Sequence, residues 1–400
     1  MKQTQTKLFD VSDVDLDFCS GSRALFPERF KRMLSTGYNV NTVSAVTVEE
    51  NQVTLSYTSE HGYAANRVLK ADSGPLSEIN DGEFWIDSVT SQTLTFTLDG
   101  APAEISGGFS TRIAPLGWEL VYEVDHIHIY KFKHIDDTDM YVRFCFQDVM
   151  TATQRNCAVV GVGRTVDLTL GKITDPNCFG DLGTCETVAS TPNNIRWDFN
   201  YSLTAAHNNY TYSQGVTNYG KGNFIGSIYH FIAMTNVNSG TPYGAVQAIL
   251  PFQSTYPVIN YPILLVQNNG AATTTVSSNL NSSARIYIGS IRFKCHHSSG
   301  SYAFKTDMAD VSYLPSELGD FETTTCSPIP LYTNTELQFV GHCAGGLYIA
   351  HFANSPIPSA NAANTPHVMS EVDYQSLCLV HNMGSGDNWF VAPLEPIKWS

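Results

Sequence analysis

The sequence predicts a mainly β protein: a small β-module with one short helix, followed by a larger β-sandwich-like domain with long loops. Three observations predict it. Of 400 residues, 21 are Phe and 20 are Tyr, with abundant Thr, Ser and Asn, a composition that suits pleated, half-buried surfaces. Short β-branched and aromatic runs are separated by Asn-Asp-Gly, Asp-Gly and Ser- or Pro-rich breaks, the punctuation of strands and turns. Only one stretch carries a helical period.

Residues 1–20 read as an N-terminal arm. Asp10, Asp13, Asp15 and Asp17 interleave with Val11, Val14, Leu16 and Phe18. If the chain is extended from Asp13, then Val14, Leu16 and Phe18 share one face and the carboxylates the other. Such an apolar strip is expected to add little to its own fold and to bury on a neighbouring subunit. An edge strand of the N-terminal module is the alternative. Asp13, Asp15 and Asp17 also match positions one, three and five of a calcium loop. Phe18 and Ala24 stand where that loop needs Gly and Glu, so no calcium is expected.

The helix is placed over Pro27–Thr36. Pro27 loses nothing at a first helical position, and Glu28 complements the helix dipole. Phe26, Phe30, Met33 and Leu34 fall on one face, and Gly37 is a natural stop. The small β-domain spans 21–112, with strands at Val43–Val48, Val53–Tyr57, Glu83–Val89 and Thr93–Leu98. In the last of these, Leu94, Phe96 and Leu98 alternate with threonines, as in a half-buried strand. Asn80-Asp81-Gly82 and Asp99-Gly100 mark turns.

A boundary falls near Arg112–Gly117, and the larger domain covers 113–400. It opens with a hairpin in which Tyr122–His134 runs out and Met140–Val149 returns. Further strands are expected at Val159–Leu170, Phe224–Thr235, Ala245–Leu250, Tyr261–Gln267, Ala284–Cys295, Glu336–Phe352 and Tyr374–Asn382. Gly117-Trp118 places a large aromatic at the junction, where it can lock the two parts.

Composition narrows the function. A net charge of −15 argues against nucleic acid as a direct partner, because phosphate neutralisation needs surplus Lys and Arg. Hydrophobic residues make up 42% and charged residues 15%, so disorder is not expected, and a surface this poor in charge suits contact with partners. No apolar run is long enough for a membrane-spanning helix. The apolar core of a signal peptide is missing from the start, which implies synthesis in a cytoplasm. The nine cysteines lack metal or disulfide spacing and are expected to be reduced core thiols.

Candidate chemistry is sparse. His126 and His128 would share a strand face, with His134, Cys295, His296 or His297 as possible third ligands. Tyr and Phe occupy the same face, so a packed aromatic surface is expected and not a metal. Gly341-His342-Cys343-Ala344-Gly345 has the spacing that exposes a nucleophile on a tight turn. Strand-like sequence on both sides gives Cys343 no helix dipole to lower its pKa, so a glycine bulge is expected. Gly161-Val162-Gly163-Arg164 and Gly220-Lys221-Gly222 lack phosphate-loop spacing. Asn209-Tyr210-Thr211 and Asn281-Ser282-Ser283 are glycosylation sequons, of little meaning without a secretion signal. No catalytic, cofactor-binding or metal residue is therefore assigned.

The order of pieces resembles a family of tailed-bacteriophage virion structural proteins, of the minor-tail or baseplate kind. The pieces are the helix near Phe30–Leu34 ending in Gly37-Tyr38, the run from Ile79 to Val89, and Ala114-Pro115-Leu116-Gly117-Trp118-Glu119. Met140-Tyr141-Val142-Arg143-Phe144 follows and leads into Gln147-Asp148-Val149-Met150-Thr151. The resemblance covers about residues 24–155 and brings no catalytic residues. It implies a non-enzymatic virion component of the tail or baseplate, assembled in the host bacterial cytoplasm. The implied partners are other virion proteins and further copies of the chain around the tail axis. Two other readings stay open: a receptor- or glycan-binding module on a virion, and a cysteine hydrolase using Cys343.

Overall fold

The computed structural model describes residues 6–16, 25–147, 157–188, 196–198, 222–236, 244–256, 258–267, 284–295, 326–351, 367–372, 376–382, 388–395 and 397. The protein is mainly β, as the sequence predicts, and its described strands pair antiparallel throughout in several sheets.

Seven strands between Tyr38 and Ile113 form the first sheet, in the order Glu83–Trp85, Val68–Ala71, Ser110–Ile113, Tyr38–Glu49, Gln52–Tyr57, Thr93–Thr97, Ser88–Val89. Ser110–Ile113 is its last strand in chain order. The alternation read from Thr93 to Leu98 is real: Leu94, Phe96 and Leu98 are buried and the threonines face outward.

A five-stranded sheet follows, ordered Arg196–Asp198, Cys157–Gly163, Asp139–Phe146, Ile127–Lys133, Glu119–Val124. Here the predicted hairpin is corrected. Tyr122–His134 is not one strand, because the chain reverses at Asp125-His126, with Asp125 at φ 51. Asp tolerates that left-handed conformation better than most residues.

The largest sheet has ten strands and curls into a half-barrel. It starts at Lys7–Asp10 and continues through Gly222–Ser227, His230–Asn236, Gly244–Leu250, Ile263–Gln267, Ala284–Ile288, Ile291–Lys294, Pro330–Thr333 and Phe339–Cys343 to Phe252–Ser254. The curl follows from connectivity. Only Pro251 separates Gly244–Leu250 in the middle of the sheet from Phe252–Ser254 at its far edge, so that edge must bend back. Proline suits the crossing because it has no N–H to leave unpaired. Two runs expected as single strands are hairpins, turning at Ile228-Tyr229 and Gly289-Ser290, and a third breaks at Ala344–Leu347, where the chain passes from Phe339–Cys343 in this sheet to Tyr348–His351 in another. A second five-stranded sheet gathers the C-terminal strands Cys326–Pro328, Tyr348–His351, Asn388–Pro393, Ser376–Asn382 and His367–Val372.

The helix forms where the sequence places it: α-helical over Leu25–Lys31, it widens to a π-turn over Arg32–Thr36 and stops at Gly37, φ 75. Phe26, Phe30, Met33 and Leu34 are all buried. The helix groups with the small β-domain in sequence, yet its aromatic face packs elsewhere. The Phe30 ring lies 5.5 Å from Phe144, 5.4 Å from Phe146 and 5.8 Å from Phe231, filling the space between the five- and ten-stranded sheets. The Trp118 side chain bridges the five- and ten-stranded sheets through residues that both belong to the expected larger domain. It stacks on Phe132 at 4.7 Å and donates from Nε1 to the Ser227 carbonyl at 2.9 Å. One continuous apolar core runs from Phe9 through all these elements to Ala392.

The N-terminal segment overturns the expectation of an arm that lies on a neighbour. Lys7–Asp10 is the edge strand of the ten-stranded sheet of its own chain, paired in register with Asn223–Gly226. Leu8, Phe9, Val11 and Leu16 are buried in the same chain's core. The extended pattern from Asp13 fails too: residues 11–16 turn, Asp15 has φ 72, and Val14 faces solvent while Leu16 is buried. The alternative also fails, since the strand joins the large sheet and not the N-terminal module.

Candidate functional site

Two places hold buried charge in defined contacts among the described residues; the sequence marked Asp13 and Asp15 only as a calcium spacing and marked none of their partners. The first is the seam closed by residues 6–16. Asp13 is buried, and Arg67 grips both its oxygens, Nε at 2.8 Å and Nη2 at 2.9 Å, while the Tyr38 hydroxyl donates to Oδ2 at 2.8 Å. A planar fork on a carboxylate, with a third donor on the remaining lone pair, is the geometry in which a buried pair offsets its desolvation. Lys7 is buried as well. It donates to Glu83 at 2.8 Å and to the Pro115 carbonyl, while burial pushes its ammonium down against the pull of Glu83. Asp15 meets Arg32 at 3.1 Å. The carboxylates read as a calcium spacing are thus claimed by arginines; Asp17 lies outside the described residues.

One segment therefore touches three bodies. Its backbone extends the ten-stranded sheet, Lys7 and Asp13 reach the seven-stranded sheet, and the Thr6 hydroxyl donates to the Glu395 carbonyl near the C-terminal sheet at 2.6 Å. Nothing in the sequence marks Arg67 as the partner of Asp13, because the two are separated by 54 positions without a motif.

The second place is Arg143 with Cys185, on the five-stranded sheet, where Arg143 Nη1 lies 3.6 Å from the Cys185 sulfur.

The residues singled out in the sequence are not brought together. His126 sits in a turn, not on a strand, so it shares no face with His128, and its Nε2 meets the Glu186 carbonyl at 2.7 Å. His128 is packed beneath Tyr130, whose hydroxyl lies 3.0 Å from Nδ1, and burial pushes its imidazole down to about 4. His134 pairs locally with Asp136 at 3.3 Å. Cys295 is buried, and His296 and His297 lie outside the described residues, as do Lys221 and both sequons. No group of three metal-ligating side chains occurs among the described residues.

Cys343 ends the strand Phe339–Cys343 in the predicted glycine-rich turn. Burial pushes its thiol up to about 11, and it donates to the Gly345 carbonyl at 3.2 Å. Nucleophilic cysteines need the opposite shift. The turn covers His230 instead, for a Cβ at Gly346 would lie 2.8 Å from that ring. His230 is fully buried, which pushes it down to about 3, and its Nδ1 lies 2.8 Å from the Ser227 hydroxyl. That hydroxyl accepts from the Tyr229 N–H at 3.1 Å, so the pair closes a hairpin turn that lacks glycine.

Compared with known proteins, the chain matches no family model and no curated relative. None of the described helices is long and apolar enough to cross a membrane.

Proposed function

We propose that this chain is a non-enzymatic structural subunit of a tailed-phage virion, in the tail or baseplate, that packs against other virion proteins and further copies of itself around the tail axis. The observation that supports it most is the ordered set of sequence pieces by which the chain resembles such proteins. Three of those pieces also meet in space. The Leu116 and Trp118 N–H groups donate to the carbonyls of Met33 and Leu34 at 2.8 and 2.9 Å, so the helix end and the Ala114–Glu119 connector form one seam. Met140–Phe144 runs through the sheet on which that helix packs.

Two further features agree with it. Ionisable groups inside the fold hold sheets together, as Asp13, Arg67 and Lys7 do. Tyr256, Val258 and Phe339 are exposed near the Phe252–Ser254 edge of the ten-stranded sheet, apolar surface of the kind that subunit contacts use.

The test is a stop codon at Trp118 in the phage that encodes the chain. In a host that cannot suppress it, particles should lack a complete tail or baseplate, and the protein should be found in wild-type virions by mass spectrometry. Infectious particles of normal shape without the protein would reject the reading.

A further inference from the structure

Arg143 and Cys145 lie two residues apart on the strand Asp139–Phe146, so both side chains leave one face of the sheet. Residues 164–188 roof that face. They come this close because position 161, opposite Arg143 in the ladder, is glycine: a Cβ there would lie 2.7 Å from the Leu182 backbone. Under the roof Arg143 is fully buried. Its Nε donates to the Gly171 carbonyl at 2.7 Å, Nη1 points at the Cys185 sulfur at 3.6 Å, and Nη2 has no hydrogen-bond partner among the described residues. Arg32, Arg67 and Arg112 each pair with a carboxylate, whereas among the described residues none lies within ion-pair distance of Arg143.

A guanidinium keeps its charge in a protein, and a buried charge needs an opposite one. The group within reach that can supply one is Cys185, whose sulfur accepts from Arg143 and lies 3.8 Å from the Leu182 carbonyl. Cys145 hydrogen-bonds the same sulfur, and that bond first, with Arg143 second, brings the Cys185 thiol down to about 7 against the effect of burial. By contrast, burial pushes the neighbouring Cys178 up to about 11. Two thiols in contact beside a cation, one of them made more acidic, are the arrangement of an attacking and a resolving sulfur.

We propose that Cys185 and Cys145 are a peroxide-responsive thiol pair, in which Cys185, held by Arg143, attacks and Cys145 resolves. The Cys185 thiolate attacks one oxygen of hydrogen peroxide; the O–O bond breaks, Cys185 becomes a sulfenic acid, and hydroxide leaves. The Cys145 sulfur then displaces the sulfenic hydroxyl, its proton leaving with that oxygen as water. The products are one Cys145–Cys185 disulfide, one hydroxide and one water, and the peroxide has taken up two electrons from the two sulfurs. Burial of both sulfurs favours an oxidant as small as a peroxide. The bond would fasten the roof to the sheet, closing a loop of about 40 residues. The chemistry is independent of the chain's place in a particle.

The test uses the full-length, fully reduced protein and hydrogen peroxide. Intact mass should fall by two hydrogen atoms, and peptide mapping should join Cys145 to Cys185. The rate should rise with pH around a midpoint of about 7, following the Cys185 thiol. Cys145→Ser should stop at a sulfenic acid on Cys185 that dimedone captures, while Cys178→Ser should leave the disulfide unchanged. Arg143→Gln should slow the reaction about tenfold or more. If that variant does not fold, the wild-type pH midpoint decides the same point. First oxidation at another cysteine, a disulfide between other partners, a midpoint at the ordinary thiol value near ~8.5, or reaction only after denaturation would each overturn the proposal.

Discussion

The seven-stranded and ten-stranded sheets carry similar residues and are stabilised differently. In the first, Thr93–Thr97 alternates buried and outward positions, so one face supplies the core and the other meets water. In the second, all six residues of Gly222–Ser227 are buried, including Asn223 and Ser227. A strand covered on both faces depends on what covers it, and each buried polar group must find a partner inside. Asn223 finds Asp10 at 2.6 Å, and Ser227 finds His230. The small sheet stands largely on its own alternation; the large sheet needs the helix, the Trp118 connector and residues 6–16.

Removing residues 2–16 should therefore have the largest effect. It strips the edge strand and four buried apolar side chains, each worth about 1.5–3 kcal/mol, from a fold whose net stability is about 5–15 kcal/mol. The expected outcome is an aggregating or unfolded chain, seen as loss of the near-ultraviolet circular dichroism signal. A soluble variant with native spectra would show that the two sheets do not differ in this way.

Next in size is Arg67→Met. It leaves Asp13 buried without its cation and should cost about 3–5 kcal/mol in a urea titration. Asp13→Leu with Arg67→Met should recover most of that loss, because an apolar pair carries no desolvation penalty. If the double variant is as unstable as the single one, the contact works through shape and not through charge.

Acid should act on the five- and ten-stranded sheets, where the buried imidazoles sit. His128 and His230 are held neutral, at about 4 and about 3, below their unfolded value near ~6.5. Between those values the unfolded chain binds more protons, so stability is complete above about pH 7 and falls as pH drops through about 6.5 toward 4 and below. His128→Phe, which keeps the packing, should flatten part of this slope in urea midpoints measured across that range. An unchanged slope would remove His128 from the account.

The same contrast explains what could be read in advance. The strands of the seven-stranded sheet were legible because one wet face leaves a period of two, as at Leu94, Phe96 and Leu98. The helix was legible from Phe26, Phe30, Met33 and Leu34 and its glycine stop. In the ten-stranded sheet burial on both faces erases the period, so Phe224–Thr235 shows one apolar run although it turns at Ile228-Tyr229. Neither turn residue is a usual turn former; Ser227 and His230 do that work through side chains. The seam was illegible for another reason. A run of aspartates advertises charge repulsion, and only the fold brings Arg67, Arg32 and Lys7 to meet it. Arg143 and Cys185 escaped notice likewise, being 42 positions apart in sequence.

Residues 6–16 belong to the fold of their own chain. Hydrogen exchange of the isolated protein, diluted until it is monomeric by light scattering, tests it most directly. The peptide covering Lys7–Asp10 should be protected as strongly as the peptide covering its partner strand, Asn223–Gly226. Full exchange of Lys7–Asp10 at the earliest time point, with Asn223–Gly226 still protected, would contradict it and return the segment to a neighbouring subunit.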